Sequence, residues 1–159
     1  GEIVSRGRIT MPGYWQRDAE NAEACYRDAD GVTWLRSGDI GYIDDEGFLF
    51  IVDRKKDMIL SGGQNIYPQD IEAELYAHPE VEEVAVIGVP SRRWGETPLA
   101  LVVPAQALEP TELLAWANER LGRQQRLADV LMVEELPRNP NGKILKRELR
   151  KHYGERVYE

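Results

Sequence analysis

Cysteine is nearly absent from these 159 residues: Cys25 stands alone, so no internal disulfide can form, and a reducing, cytoplasmic setting is the expectation. Histidine is almost as scarce. His78 and His152 lie far apart in no metal-ligand spacing, and no metal site is expected. Long apolar runs are missing too: stretches such as 84–89 fall far short of the roughly 20 residues that cross a bilayer. Residues 1–7 carry no apolar segment of a secretory signal, so none is expected. Positive charge is in deficit, with 20 Lys and Arg against 28 Asp and Glu, which argues against a general nucleic-acid binder. The deficit is uneven, because residues 1–122 hold 11 basic and 22 acidic side chains and residues 123–159 hold 9 and 6. A basic tail on an acidic body can form an anion-binding surface, but such a stretch is more often only a solvated helix face.

What is present is an ordinary globular composition, 42% hydrophobic and 30% charged, enough for one or two small domains. Residues 2–8 and 32–36 read as strands, and Asp18 as the cap of a short helix reaching Cys25. Alternating apolar residues at 40–43 and 48–53 flank the Asp/Gly-rich run 44–47, a β-hairpin signal, and 58–60 reads as a strand ending on Ser61-Gly62-Gly63. Pro68 then opens a helix carrying Ile71 and Leu75 that stops near His78-Pro79. Two apolar strands follow, the second ending at Pro104. A helix from Pro110-Thr111 places Leu113, Leu114, Ala117 and Leu121 on one stripe. A strand over 129–136 and a terminal helix over 146–153 complete the chain. The expected class is α+β: a β-rich piece over 1–53, a charged connection at 54–57, and a domain over 58–159 with a short central sheet flanked by helices. Residues 1–53 hold little apolar surface for a core of their own and are expected to belong to a larger body.

Near the end, "RNPNGKIL" at 138–145 joins a turn-forming Asn141-Gly142 to Lys143. In isolation that is a solvated surface turn. Two further stretches stand in order before it: "LRSGDIGYIDDEGFLFIVDRKKDMI" at 35–59 and "SGGQNIYPQDIE" at 61–72. Together with "LPRNPNGKILKREL" at 136–149 they resemble the carboxyl-terminal motifs of the adenylate-forming enzymes, which include acyl-CoA synthetases, peptide-synthetase adenylation domains and beetle luciferases. The run "GEIVSRGRITMPGYW" is similar to the segment leading into those motifs, so the resemblance covers essentially the whole chain. Such enzymes join a carboxylic acid to AMP from ATP and then pass the acyl group to a thiol, with a small lid rotating on a large body between the two steps.

The resemblance implies that 1–53 is the last subdomain of that body, 54–57 a hinge and 58–159 the mobile lid. It implies that Asp39 accepts the ribose hydroxyls, that Arg54 reaches the ribose and phosphate side of the nucleotide, and that Lys56 is the pivot. Ser37 stands where the motif usually has threonine. Gly62 and Gly63 would line the passage for the pantetheine arm, with Trp94, helped by Arg92 or Arg93, and Arg126 meeting the nucleotide of coenzyme A. Beside these stand plainer readings: an Asx-type turn for Asp39, a packed loop tryptophan for Trp94, an ordinary turn for the glycines. The run "RQQRLAD" departs from the lysine–proline pattern of relatives near Arg126. Lys143 would bring its ammonium to the acyl carboxylate and α-phosphate, where charge builds as pyrophosphate leaves.

The implied activity is that of an AMP-forming acid–CoA ligase, nearer in its "DRKKDMI" and double-glycine patterns to fatty or aryl acyl-CoA synthetases. Its implied cofactors are ATP, Mg2+ and coenzyme A. The phosphate loop and the acyl pocket match nothing in this chain, so partnership with an N-terminal body is expected and the chain alone is expected to be inactive. A carrier protein as the acyl acceptor, or a non-catalytic module retaining the lid fold, are the alternatives.

Overall fold

In the computed structural model, which describes residues 1–159, the first 56 residues form β1 (Glu2–Ser5), α1 (Asp18–Ala24), β2 (Cys25–Arg27), β3 (Thr33–Ile43) and β4 (Leu49–Arg54). All three other strands pair antiparallel with β3. The sequence pattern splits β3 at Ser37-Gly38-Asp39, whereas the structure runs one strand straight through. The ladder holds it there: Ser37 Oγ donates to the Ile3 carbonyl at 2.9 Å, and the Lys55 amide donates to the Gly38 carbonyl at 2.9 Å. Gly38 takes the left-handed φ of +75° that the passage needs, and a bulge follows between Ile40 and Gly41. Helix α1 begins one residue earlier than an Asp18 cap requires. Arg17 occupies the cap position without a side-chain cap bond, and Asp18 sits in the first turn, where its charge still meets the positive helix end. Strand β1 stops at Ser5 rather than Arg8.

The second unit, Asp57–Glu159, contains β5 (Ile59–Ser61), β6 (Gln64–Ile66), α2 (Pro68–Tyr76), β7 (Val81–Ser91), β8 (Gly95–Pro104), α3 (Pro110–Arg120), β9 (Asp129–Met132) and α4 (Lys146–Tyr153). Its sheet runs β6-β5-β8-β7, with β9 lying parallel to β8 after the α3 crossover. Strand β6 has no apolar alternation to announce it. It exists because Gly62 and Gly63, at φ +57° and +80°, close a two-residue turn that pairs Ser61 with Gln64. Strand β9 ends at Met132, four residues short of the expected Leu136.

The unbroken apolar runs of β7 and β8 have a direct cause: both faces of this sheet are covered. Val84, Val86, Ala100 and Val102 point to one face, packed with Ile71 and Leu75 of α2 and Leu113 and Ala117 of α3. Ala85, Ile87, Val89, Leu99 and Leu101 point to the other, against Leu149 of α4 and against Leu136 in the segment that follows β9. Each fully buried Leu, Ile or Val contributes on the order of 1.5–3 kcal/mol. On α3, Leu114 is only partly buried, at the edge of the expected stripe. No helix is long and apolar enough to cross a membrane.

Candidate functional site

Lys143 stands on a loop whose shape comes from its own residues. Asn139 heads it: its Oδ1 accepts from the Asn141 amide at 3.0 Å and from the Lys143 amide at 2.8 Å, while its backbone donates to the Lys143 carbonyl at 2.9 Å. Gly142 donates back to the Asn139 carbonyl at 2.9 Å with φ +81°. This is a three-residue loop closed by a left-handed glycine, not a two-residue turn at Asn141-Gly142, and its brace is Asn139. Asn141, Gly142 and Lys143 are exposed, and the Lys143 ammonium has neither a hydrogen bond nor an ion pair. The same loop occurs twice more. Asp28 Oδ1 accepts from Asp30 and Val32 with Gly31 at φ +77°, and Asp44 Oδ1 accepts from Glu46 and Phe48 with Gly47 at φ +87°.

The loop is also fastened from outside. Arg138 donates one guanidinium nitrogen to the Gly142 carbonyl and sets another 2.7 Å from Glu83 of β7. Beyond the loop, Lys146 at the start of α4 lies 2.7 Å from Glu72 of α2, an oxygen that also accepts from the Val86 amide at 2.7 Å. Further along α4, Arg150 meets Asp57 at 2.8 Å. None of these partners is evident from the sequence pattern, because their separations in sequence range up to 93 residues. The Asx-x-x-Gly spacing, repeated three times, was the legible signal for the loop itself.

In the first unit, Asp39 and Arg54 face each other across β3 and β4, with Arg54 Nε 2.8 Å from Asp39 Oδ1. Ser37 Oγ accepts from the Asp39 amide at 3.0 Å, so a hydroxyl residue here sets the carboxylate's backbone. The Asp39 side chain is 22% exposed, leaving a partly sheltered acceptor beside a cation. Lys55 is held through Glu2 at 2.8 Å, and the Lys56 side chain, the last of this unit, makes no such bond.

The remaining candidates converge in the second unit. The Gly62 amide donates to the Trp94 carbonyl at 2.8 Å, and a Cβ on Gly62 would lie 2.9 Å from Trp94 Cε3. Gly63 is the neighbouring position of the same turn, exposed with open space about it. Arg93 sits 4.7 Å from the Trp94 ring centroid. Trp94, Arg93 and Arg126 line one cleft of about 280 Å3, which Ser61, Thr97 and Arg123 also line. Arg123 was not singled out in the sequence; a second arginine three positions before Arg126 was its only trace. Glu159 also reaches this cleft. Tyr158 holds it there, its backbone bonded to Pro90 and Arg92 and its hydroxyl donating to Asp129 Oδ2 at 3.1 Å. Burial pushes the Tyr158 phenol above its ordinary value. No group of three or more His, Cys, Asp or Glu side chains comes together that could hold a metal ion.

Residues 70–143 match the model of the AMP-binding enzyme C-terminal domain. Feruloyl-CoA synthase from Amycolatopsis is 47% identical over 97% of this chain and 31% of its own length. The long-chain-fatty-acid–CoA ligase FadD13 of Mycobacterium tuberculosis is 45% identical over 99% of this chain and 30% of its own. Among solved structures, ATP-bound MatB from Rhodopseudomonas palustris superposes with a TM-score of 0.86 at 35% identity, covering 97% of this chain and 30% of that one. The chain thus spans about a third of the length of the curated relatives it matches.

Proposed function

The chain belongs to the AMP-binding, adenylate-forming enzymes as a C-terminal portion, and from that premise we propose that it serves an ATP-dependent acid–CoA ligase. In the first half-reaction a carboxylate attacks the α-phosphorus of ATP and pyrophosphate leaves, giving acyl-AMP. In the second a thiol attacks the acyl carbon and AMP leaves. The observation that carries the reading is the exposed, unpaired ammonium of Lys143 on a self-braced loop. A cation held ready for a developing negative charge lowers a barrier without reorganising at the moment of reaction. Arginine is a poor substitute there, being longer and planar.

Asp39 would accept the ribose hydroxyls through the oxygen that Arg54 leaves free, and Arg54 would meet the phosphate side. Lys56 would be the pivot between a body that includes the first unit and a mobile lid formed by the second. The exposed apolar side chains Tyr42, Ile43, Phe48 and Leu49 support an N-terminal body that covers them. That body would hold the acyl pocket and the Mg2+ accompanying ATP, for which this chain has no ligand cluster.

For the acceptor, the cleft supports free coenzyme A. Arg93, Arg123 and Arg126 suit its phosphates, and Trp94 with the Gly62-Gly63 turn suits adenine and the pantetheine arm. Acceptance of the acyl group by a carrier protein and not by free coenzyme A would favour the carrier-loading alternative. The acid belongs to the aryl or fatty class by likeness to feruloyl- and long-chain-fatty-acid–CoA ligases.

The test is Lys143→Ala in the full-length protein. Acyl-AMP formation should fall by about 10²–10³-fold, while supplied acyl-AMP still reacts with coenzyme A. Equal loss in both half-reactions overturns the role, and no loss in either favours a non-catalytic module. The 159-residue chain alone should form no acyl-AMP.

A further inference from the structure

Resting on the reading of Lys143 above, we infer that Arg138, pinned to Glu83, is a positioning residue that aims the Lys143 loop. The loop's internal bonds fix its shape but not its direction, since residues 140–143 are exposed and no core side chain anchors them. Arg138 supplies the direction. One nitrogen holds the carbonyl of Gly142, the peptide immediately before Lys143, and another holds Glu83 on β7, a strand paired along its length with β8. A planar fork with two donors set apart can serve both partners at once. Lys146 and Glu72 fasten the other side of the loop to α2.

The ion pair is 39% and 31% exposed, so its worth to global stability is small. What it changes is the aim of an ammonium at the end of a long stem. A misplacement of about 1 Å at a reacting centre costs on the order of 10²-fold in rate. The pair therefore matters to the adenylation step and not to the second half-reaction, in which Lys143 takes no part.

Two readouts test it. In the 159-residue chain, Arg138→Met and Glu83→Gln should speed amide hydrogen exchange at Gly142 and Lys143 by roughly tenfold, the scale of one hydrogen bond to a charged group, with amides of β7 and β8 unchanged. Arg138→Lys, which keeps the charge but not the fork, should fall between. In the full-length protein, Arg138→Met should lower kcat for acyl-AMP formation by on the order of 10- to 100-fold with KM for ATP little changed, and leave supplied acyl-AMP reacting normally with coenzyme A. Unchanged loop exchange overturns the clamp. Faster exchange with undiminished adenylation overturns its part in aiming Lys143. If Lys143→Ala itself spares adenylation while the loop loosens as expected, the reading of Lys143 fails and the clamp stands as a structural one.

Discussion

Asp28 to Val32 and Asp44 to Phe48 in the first unit close the same loop as Asn139 to Lys143 in the second, yet what stands behind the loops differs. In the first unit no side chain is fully buried; Gly41 alone reaches that state, and Phe48, Leu49, Phe50 and Ile51 stay exposed. Every buried hydrophobic residue lies in the second unit, from Ile59 to Leu149. Local hydrogen-bond chemistry shapes a loop equally well in either setting, because Asx and glycine need only their own backbone neighbours. A core requires two covered faces, and only the second unit has them.

Separating the units should give the largest effect. Residues 57–159 made alone should keep the slow amide exchange of β7 and β8, whereas residues 1–56 made alone should exchange as an unfolded chain. A cooperative thermal transition from 1–56 alone would break the contrast. Next in size are core truncations. Leu101→Ala, at a site with no exposure, should cost about 2–5 kcal/mol by denaturant unfolding. Ile51→Ala, at 61% exposure, should cost within about 0.5 kcal/mol.

Smaller than the loss at Leu101, and equal in the two units, is the cost of losing a loop glycine. A Cβ on Gly47 or Gly142 meets nothing within 4 Å, so alanine there suffers only the left-handed backbone, about 1–2 kcal/mol of local stability at each. Unequal effects on amide exchange in the two loops would show that the units are not alike even locally. The smallest effect is on acid stability. The Trp34 indole, donating to Asp28 Oδ2 at 2.8 Å, and the Val32 amide hold the Asp28 carboxyl below its ordinary value. A carboxyl depressed on folding stabilises above the ordinary carboxylate range, and that contribution fades as pH falls through the depressed value. Trp34 fluorescence followed through an acid titration should show this loss, and Asp28→Asn should remove it.

The hairpin over β3 and β4, the strands β7 and β8 and helices α2, α3 and α4 were legible because their cues are local: Asp/Gly turns, unbroken apolar runs, prolines at helix starts. The continuity of β3 through Gly38 was not, because a glycine between strand-like runs reads as a break until ladder partners on both sides hold it in line. Strand β6 escaped notice because Gln64 and Asn65 carry no strand signal, and a two-glycine turn alone commits them to the sheet. For the candidate site, Asp39, Arg54, Gly62, Trp94, Arg126 and Lys143 stood out by motif. Arg138, Glu83, Glu72 and Arg123 did not, since charged residues in charged stretches carry no mark of what they face.

The sequence by itself determined the alternation of strand and helix, the three Asx–Gly loops and the placement of a lysine at the end of one of them, since each depends on residues within a few positions of one another. Only the tertiary structure decided that Arg138 ties that loop to β7, that Asp39 meets Arg54, and that Trp94 and Arg126 share a cleft. Those pairs are distant in sequence, and a charge or a ring acquires its partner only when packing of the sheets and helices fixes which surfaces face each other.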